Sequence, residues 1–427
     1  MGFLSSLLTF GVVAVALCGC TKVYPPSGQN CVVTSTGGAS SSSSGSSSGT
    51  SGSSSSGGSS FGTGGDGFGS GTGGGDAGGT AGGGSTGGNG GSGTGPMGEW
   101  KNETSNLAGM TSECGNLSVL SVKPDEDMLI ASVAQQGLWS STDGGTTWTA
   151  LGTGAMSDKV TNRGSSLVYD PDHPQTFYES GTYNGGGVYQ TTDDGVTLLQ
   201  LGDTTHSDLV SVDFTDPDRK TLLAGGHEQG HALSRSIDAG MTWANIGANL
   251  PDNTNCTFPL IIDGMTYLVG CGGYGGGIAG IGRSTDGGMT WTQVSSSGGS
   301  RVPLVASDGS IYWSTAVNGG LARSTDKGVT WSQTVGTGVL MTDPPIELPD
   351  GRIAAVGSSA IVVSADQGVT WTAVTSEIPY IKSVGYNDAG GVLYSVPQKA
   401  FYVYHSDCGN SVPSDAVLRY DFDYMTE

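Results

Sequence analysis

Positive charge is scarce in this chain. Its 427 residues include 16 Lys and Arg against 38 Asp and Glu, a formal charge of −22, while charged residues of both signs reach only 13%. A surface this acidic repels phosphate backbones, which excludes general nucleic-acid binding, and it offers no basic patch to anionic lipid. Histidine is rarer still, at five residues. Long apolar runs are missing too: residues 4–17 form the longest, too short to span a bilayer. No phosphate-binding glycine loop, nucleophile elbow or Cys/His pair occurs. The 77 glycines follow no Gly-X-Y period, so collagen is excluded.

What is abundant is glycine, and it falls into two populations. Between Gly37 and Gly95 the chain is nearly all Gly, Ser and Thr, with 27 glycines; Asp66 and Asp76 carry its only charges, and Phe61 and Phe68 are its only large apolar side chains. Such a stretch cannot offset its ordering entropy. Residues 37–97 therefore read as a flexible tether with a span of about 40 Å. Ahead of it, residues 1–19 have the apolar core of an export signal, ending at Leu17-Cys18-Gly19-Cys20. This end resembles the lipobox of bacterial lipoproteins, although Met1 to Phe3 lack Lys or Arg. The resemblance implies lipidation of Cys20, a lipid-anchored segment over 20–36 and, with Thr21 in place of Asp, the outer membrane of a Gram-negative cell or the cell surface. An ordinary secretory signal cleaved nearby is the alternative.

The second population sits in repeats. Ser141-Thr-Asp143-Gly-Gly145-Thr-Thr-Trp148 returns with its spacing kept around Asp238, Asp286, Asp326 and Asp366, each copy ending in Thr-Trp. Degenerate copies surround Asp193, ending in Thr197-Leu198, and Asp407, in His405-Ser-Asp407-Cys-Gly409. The step is about 44 residues. Short apolar stretches between turn signals, such as Leu117–Val122 and Met128–Val133, predict an all-β repeat architecture. Inside the motif, Asp can accept from turn N–H groups, Gly supplies a left-handed position, and Trp begins an outer strand where it packs between repeats. The seven Asp residues thus read as structural.

This Ser-x-Asp-x-Gly-x-Thr-Trp pattern resembles the Asp-box, or BNR, repeat of sialidases, xyloglucanases and sortilin-type receptors. The resemblance implies a seven-bladed β-propeller over 98–427, with six blades the alternative. Either Glu99–Lys101 or Ala416–Phe422 can supply an outer closing strand. In an exported protein the cysteines should pair. Cys256 and Cys271 flank the first two strands of the fourth repeat, and Cys114 and Cys408 sit at the two ends of the ring. The expected disulfides are Cys114–Cys408 and Cys256–Cys271, with Cys31 unpaired.

The same family places ligands on the face opposite the boxes. That sorts Arg235, Arg283, Arg323, Arg219 and Arg352 to the structural side. It leaves Asp158, Arg163, Tyr183, His206, His227, Glu228, His231 and Arg301 as ligand-binding candidates, with Lys159, Asp208, Tyr274 and Lys399 near them. Only Arg163 and Arg301 reach that face, too few for the three-arginine carboxylate site of sialidases. Glycoside hydrolysis needs two opposed carboxylates. Asp158, Asp208, Glu228 and Asp343 qualify by placement, but no local motif picks a pair. His206, His227 and His231 fall on one blade and could bind a transition metal, but their spacing on a glycine-flanked loop also fits plain polar residues. No motif implies a cofactor and no catalytic residue is assigned. The reading is a monomeric cell-envelope lipoprotein, held to the membrane by its lipid alone, that binds a glycan, peptide or protein partner without catalysis. A glycoside hydrolase or polysaccharide lyase is the alternative.

Overall fold

The computed structural model describes residues 98–124, 126–158, 160–271, 279–315, 320–334, 344–380 and 389–426. The signal, Cys20, Cys31 and the tether lie outside the described residues, as do Lys159, Tyr274 and Asp343.

The described strands form seven four-stranded antiparallel sheets. Blade one comprises Leu117–Val122, Leu129–Val133, Gly137–Ser141 and Thr149–Ala150. Blade two comprises Arg163–Tyr169, Phe177–Thr182, Val188–Thr191 and Leu199–Gln200. Blade three follows with Ser207–Val212, Leu222–Gly226, Leu233–Ser236 and Ala244–Asn245. Blades four, five and six repeat the order, beginning at Cys256, Ser300 and Ile346. Blade seven takes Ala389–Ser395, Ala400–His405 and Val417–Asp421 from the C-terminal part, and its outermost strand is Lys101–Asn102. Lys101 pairs with Arg419 and Asn102 with Leu418, so the two ends of the domain share one sheet. The N-terminal side supplies the closing strand.

The core is divided in the same way as the sequence. Seven apolar clusters each lie between two neighbouring blades, from Leu117 and Trp148 against Tyr402 and Val417 to Ala354 and Ile361 against Phe401 and Leu418. In the other full motifs the Trp joins the cluster shared with the preceding blade, as Trp243 does with Tyr178 and Val210. Leu198 takes that position in the degenerate copy of blade two. Packing a ring there removes apolar surface from water between adjacent sheets.

Each motif corner satisfies itself. Ser141 Oγ donates to Asp143 Oδ1 at 2.8 Å and accepts from Gly145 N at 2.9 Å, while Asp143 accepts from Thr147 N and Thr147 Oγ1 at 2.8 and 2.7 Å. Thr290 and Asp286 repeat the pairing in blade four. Two consecutive residues of the turn have positive φ: Gly144 and Gly145 in blade one, but Ala239, Lys327 and Gln367 before the glycine in blades three, five and six. The arginines before the motifs reach the next corner: Arg235 donates to the Gly287 carbonyl at 2.6 Å and Arg283 to that of Lys327 at 3.3 Å. On the same face, buried Arg219 grips Asp170 through two 2.9 Å hydrogen bonds and joins blades two and three. Burial raises the Asp170 carboxyl, but the Arg219 guanidinium and turn N–H groups outweigh it and hold the group below its usual range.

The seventh copy is corrected by the structure. Asp407 follows the second strand of blade seven and precedes the third, so it lies in the connection at the opposite end of the blade from the other six corners. Blade seven has no continuous third-to-fourth turn to carry a motif, because its fourth strand comes from the N-terminal side. Asp407 instead accepts from Asn116 Nδ2 at 2.6 Å, at the start of blade one. Beside it Cys114 is bonded to Cys408, and Cys256 is bonded to Cys271 across their hairpin.

Candidate functional site

Antiparallel strands put the first-to-second turns and the motif corners on one face. The second-to-third loops and the links between blades lie on the other. Tyr183 and Glu228 lie in the second-to-third loops of blades two and three, and His206 ends the link between those blades. Three backbone hydrogen bonds draw them together: His206 N to the Gly186 carbonyl, Gly186 N to that of Tyr183, and His227 N to that of His206, at 3.1, 2.7 and 2.7 Å. Tyr183, His206 and Glu228 all hold left-handed backbone conformations, which non-glycine residues seldom adopt.

The side chains converge on His227. Its Nδ1 lies 2.8 Å from Asp208 Oδ1 and its Nε2 lies 3.1 Å from the Tyr183 hydroxyl. Asp208 can only accept from Nδ1–H, which leaves Nε2 to accept from the phenol. Glu228 Oε1 stands 3.8 Å from Nε2 and is exposed. His206 stacks on His227 with centroids 5.1 Å apart and meets the edge of Tyr183 at 4.7 Å. Arg163 lies over the Tyr183 ring at 5.3 Å, within cation–π range. Burial, then repulsion from His227, holds the His206 ring below its usual pKa. Its Nε2 is buried with no hydrogen-bond partner among the described residues. The result is an aromatic patch backed by an imidazole whose orientation is fixed from beneath.

Other candidates go elsewhere. His231 turns away and its Nε2 pairs with the Pro251 carbonyl at 3.1 Å. The three-histidine metal arrangement is therefore not assembled, and among the described residues no group of three His, Cys, Asp or Glu side chains is placed to hold a metal. Asp158 accepts from Gln200 N at 2.9 Å, pinned to the outermost strand of blade two. Arg301 starts the inner strand of blade five on the expected face, three blades away. Lys399 lies in a first-to-second turn, on the motif face, and pairs with Asp423 at 2.6 Å.

One group escaped the sequence reading. Glu179 sits mid-strand in Tyr178-Glu-Ser180, where alternation suggests a solvated face, yet it is wholly buried between blades one and two. Burial pushes its carboxyl up to about 8. Only the approach of a second blade hides it.

No protein-family profile matches the chain, and no curated protein matches it. Solved structures do. The Niastella koreensis GH74 enzyme is similar at 18% identity with a TM-score of 0.54, over 76% of this chain and 56% of that one. The extracellular domain of BT4673 from B. thetaiotaomicron is similar at 12% identity with a TM-score of 0.50, over 75% and 40%. YCF48 bound to D1 peptide shares 16% identity with a TM-score of 0.46, over 76% and 97%. The fold is a seven-bladed β-propeller. The propeller spans about half the length of the GH74 enzyme it matches. At such identities the likeness fixes the architecture and leaves the chemistry to the rim.

Proposed function

We propose that this chain is an exported, lipid-anchored Asp-box propeller protein that binds a glycan or peptide on the rim between blades two and three. One observation carries the reading: rings of Tyr183, His206 and His227 meet Asp208, Glu228 and Arg163 at one point of the face opposite the motif corners. Ring faces beside fixed donors and acceptors suit a sugar or a peptide side chain. The described chain enters blade seven at the motif-face end, where Lys101 lies beside Asp421.

Glycan and peptide arrays test the binding. Wild-type protein should retain a ligand without turnover, Tyr183→Ala and His227→Ala should lose it, and Arg301→Ala should keep it. Binding indifferent to Tyr183→Ala would overturn the assignment. The anchor is tested separately, since Cys20→Ala should release the protein from membrane fractions.

The Asp208–His227–Tyr183 chain favours a second reading, a glycoside-active enzyme. An imidazole oriented by a carboxylate and facing a hydroxyl can hold or move a proton at that hydroxyl. Release of reducing ends, abolished by Asp208→Asn, would select it.

A further inference from the structure

Behind the rim, between blades one and two, three buried side-chain oxygens have no hydrogen-bond partner among the described residues: Ser132 Oγ, Asn162 Oδ1 and Glu179 Oε1. All three residues are at most 1% exposed. Asn162 Nδ2 donates to the other carboxylate oxygen at 3.0 Å, and no Lys, Arg or His among the described residues forms an ion pair with Glu179. A buried carboxylate without a cation is costly; in folded proteins such groups are paired, protonated or bound to a metal.

The space around these oxygens is built by two glycines. Gly164 and Gly181 are register partners on adjacent strands of blade two, and neither has the positive φ that calls for glycine. Their need is room. A β-carbon on Gly164 would lie 2.5 Å from Ser132 Oγ and 3.3 Å from Glu179 Oε1, and one on Gly181 would lie 2.3 Å from the Asn162 amide nitrogen and 2.8 Å from the Arg163 carbonyl. Ser132 Oγ and Glu179 Oε1 thus both face the Gly164 position, and the Asn162 amide faces Gly181 beside it, two paired positions where the sheet has no side chain.

We infer that Ser132, Asn162 and Glu179 form a binding site for a single hard monovalent cation, sodium by its chemistry. The donors are all oxygen, which excludes soft metals. One carboxylate balances one positive charge, whereas buried calcium sites gather several carboxylates. Asn162 is followed by Arg163, and Gly181 is followed by Thr182 and Tyr183, so the ion fixes the two segments that carry the rim.

Thermal unfolding of the full chain at pH 8.5, in sodium chloride against N-methyl-D-glucamine chloride at equal ionic strength, tests the site. Sodium should raise the midpoint saturably, by about 3 °C at 50 times its dissociation constant. Glu179→Gln should abolish the rise and Ser132→Ala should reduce it. Thallium(I) diffraction on wild-type crystals covers the case in which Glu179→Gln fails to fold, with an anomalous peak expected between Ser132 and Glu179. A sodium effect equal in wild type and Glu179→Gln, or a water there with no anomalous peak, overturns the inference. Preference for calcium over sodium overturns its monovalent character.

Discussion

The six motif corners and the rim between blades two and three use the same residue types to opposite ends. At a corner, Ser, Asp, Gly and Thr complete one another within eight residues, and neighbouring segments add single contacts to the turn, as Arg235 does at the Gly287 carbonyl and Asn249 at that of Gly288. At the rim no segment is complete. His227 needs Asp208 from the inner strand of its blade and Tyr183 from the blade before, and His206 Nε2 finds no partner among the described residues. A polar group that is satisfied locally contributes to the fold, and one left to a neighbour is available to a ligand.

The largest expected effect concerns the closure that makes any rim possible. Replacing Cys114 and Cys408 by Ser should lower stability by about 5 kcal/mol, against about 3 kcal/mol for Cys256 and Cys271, whose loop spans 15 residues. Urea unfolding of the two double variants compares them, and equal losses would mean that the ring holds closed without the covalent link.

The next contrast is between corner and rim side chains. Trp243→Ala should cost about 3–5 kcal/mol, since it opens the cluster between blades two and three. Tyr183→Phe, which removes one partly exposed hydroxyl, should cost under about 1 kcal/mol while weakening ligand. A Tyr183→Phe variant as unstable as Trp243→Ala would make the rim part of the core.

Acid should separate the regions in order. His206 has a depressed folded pKa, so its contribution is complete above the unfolded value and shrinks as pH falls below about 6.5. The carboxyls of Asp286, Asp326 and Asp366 are drawn down to about 2, first by the threonine hydroxyl of each motif and then by turn N–H groups. They favour the fold above the usual carboxylate range and lose that as pH falls from about 4 towards 2. Hydrogen exchange should therefore show the rim loops losing protection as pH falls below about 6.5, while the corners keep protection until below about pH 4. Simultaneous loss of both would show that the regions are one cooperative unit.

The smallest effect is a gain. Ala239, Lys327 and Gln367 occupy left-handed positions that glycine fills in blades one and four. Ala239→Gly should raise stability by about 0.5–1 kcal/mol through relief of strain, with ligand binding unchanged.

Legibility in the sequence followed the same division. The period of about 44, the Trp positions, the strands and both cysteine pairs could be read because each turn's chemistry repeats at fixed spacing. Asp407 misled because it preserves the spacing of Asp and Gly in a connection on the other face. His227 and Tyr183 could be placed on one face by the blade order that the Asp-box resemblance implies, but their hydrogen bond joins residues 44 apart on different blades. His231 looked equivalent to His227 and was not, since the chain reverses between them. Glu179 gave no signal at all.

The sequence by itself determined the blades, because a local turn, a local strand pair and a repeated ring need no distant residue to specify them. Tertiary structure decided how many corners carry the motif, which end closes the ring, and which polar groups stay unsatisfied. Those outcomes depend on one sheet approaching another, and burial between sheets is set by the whole ring rather than by any segment of it.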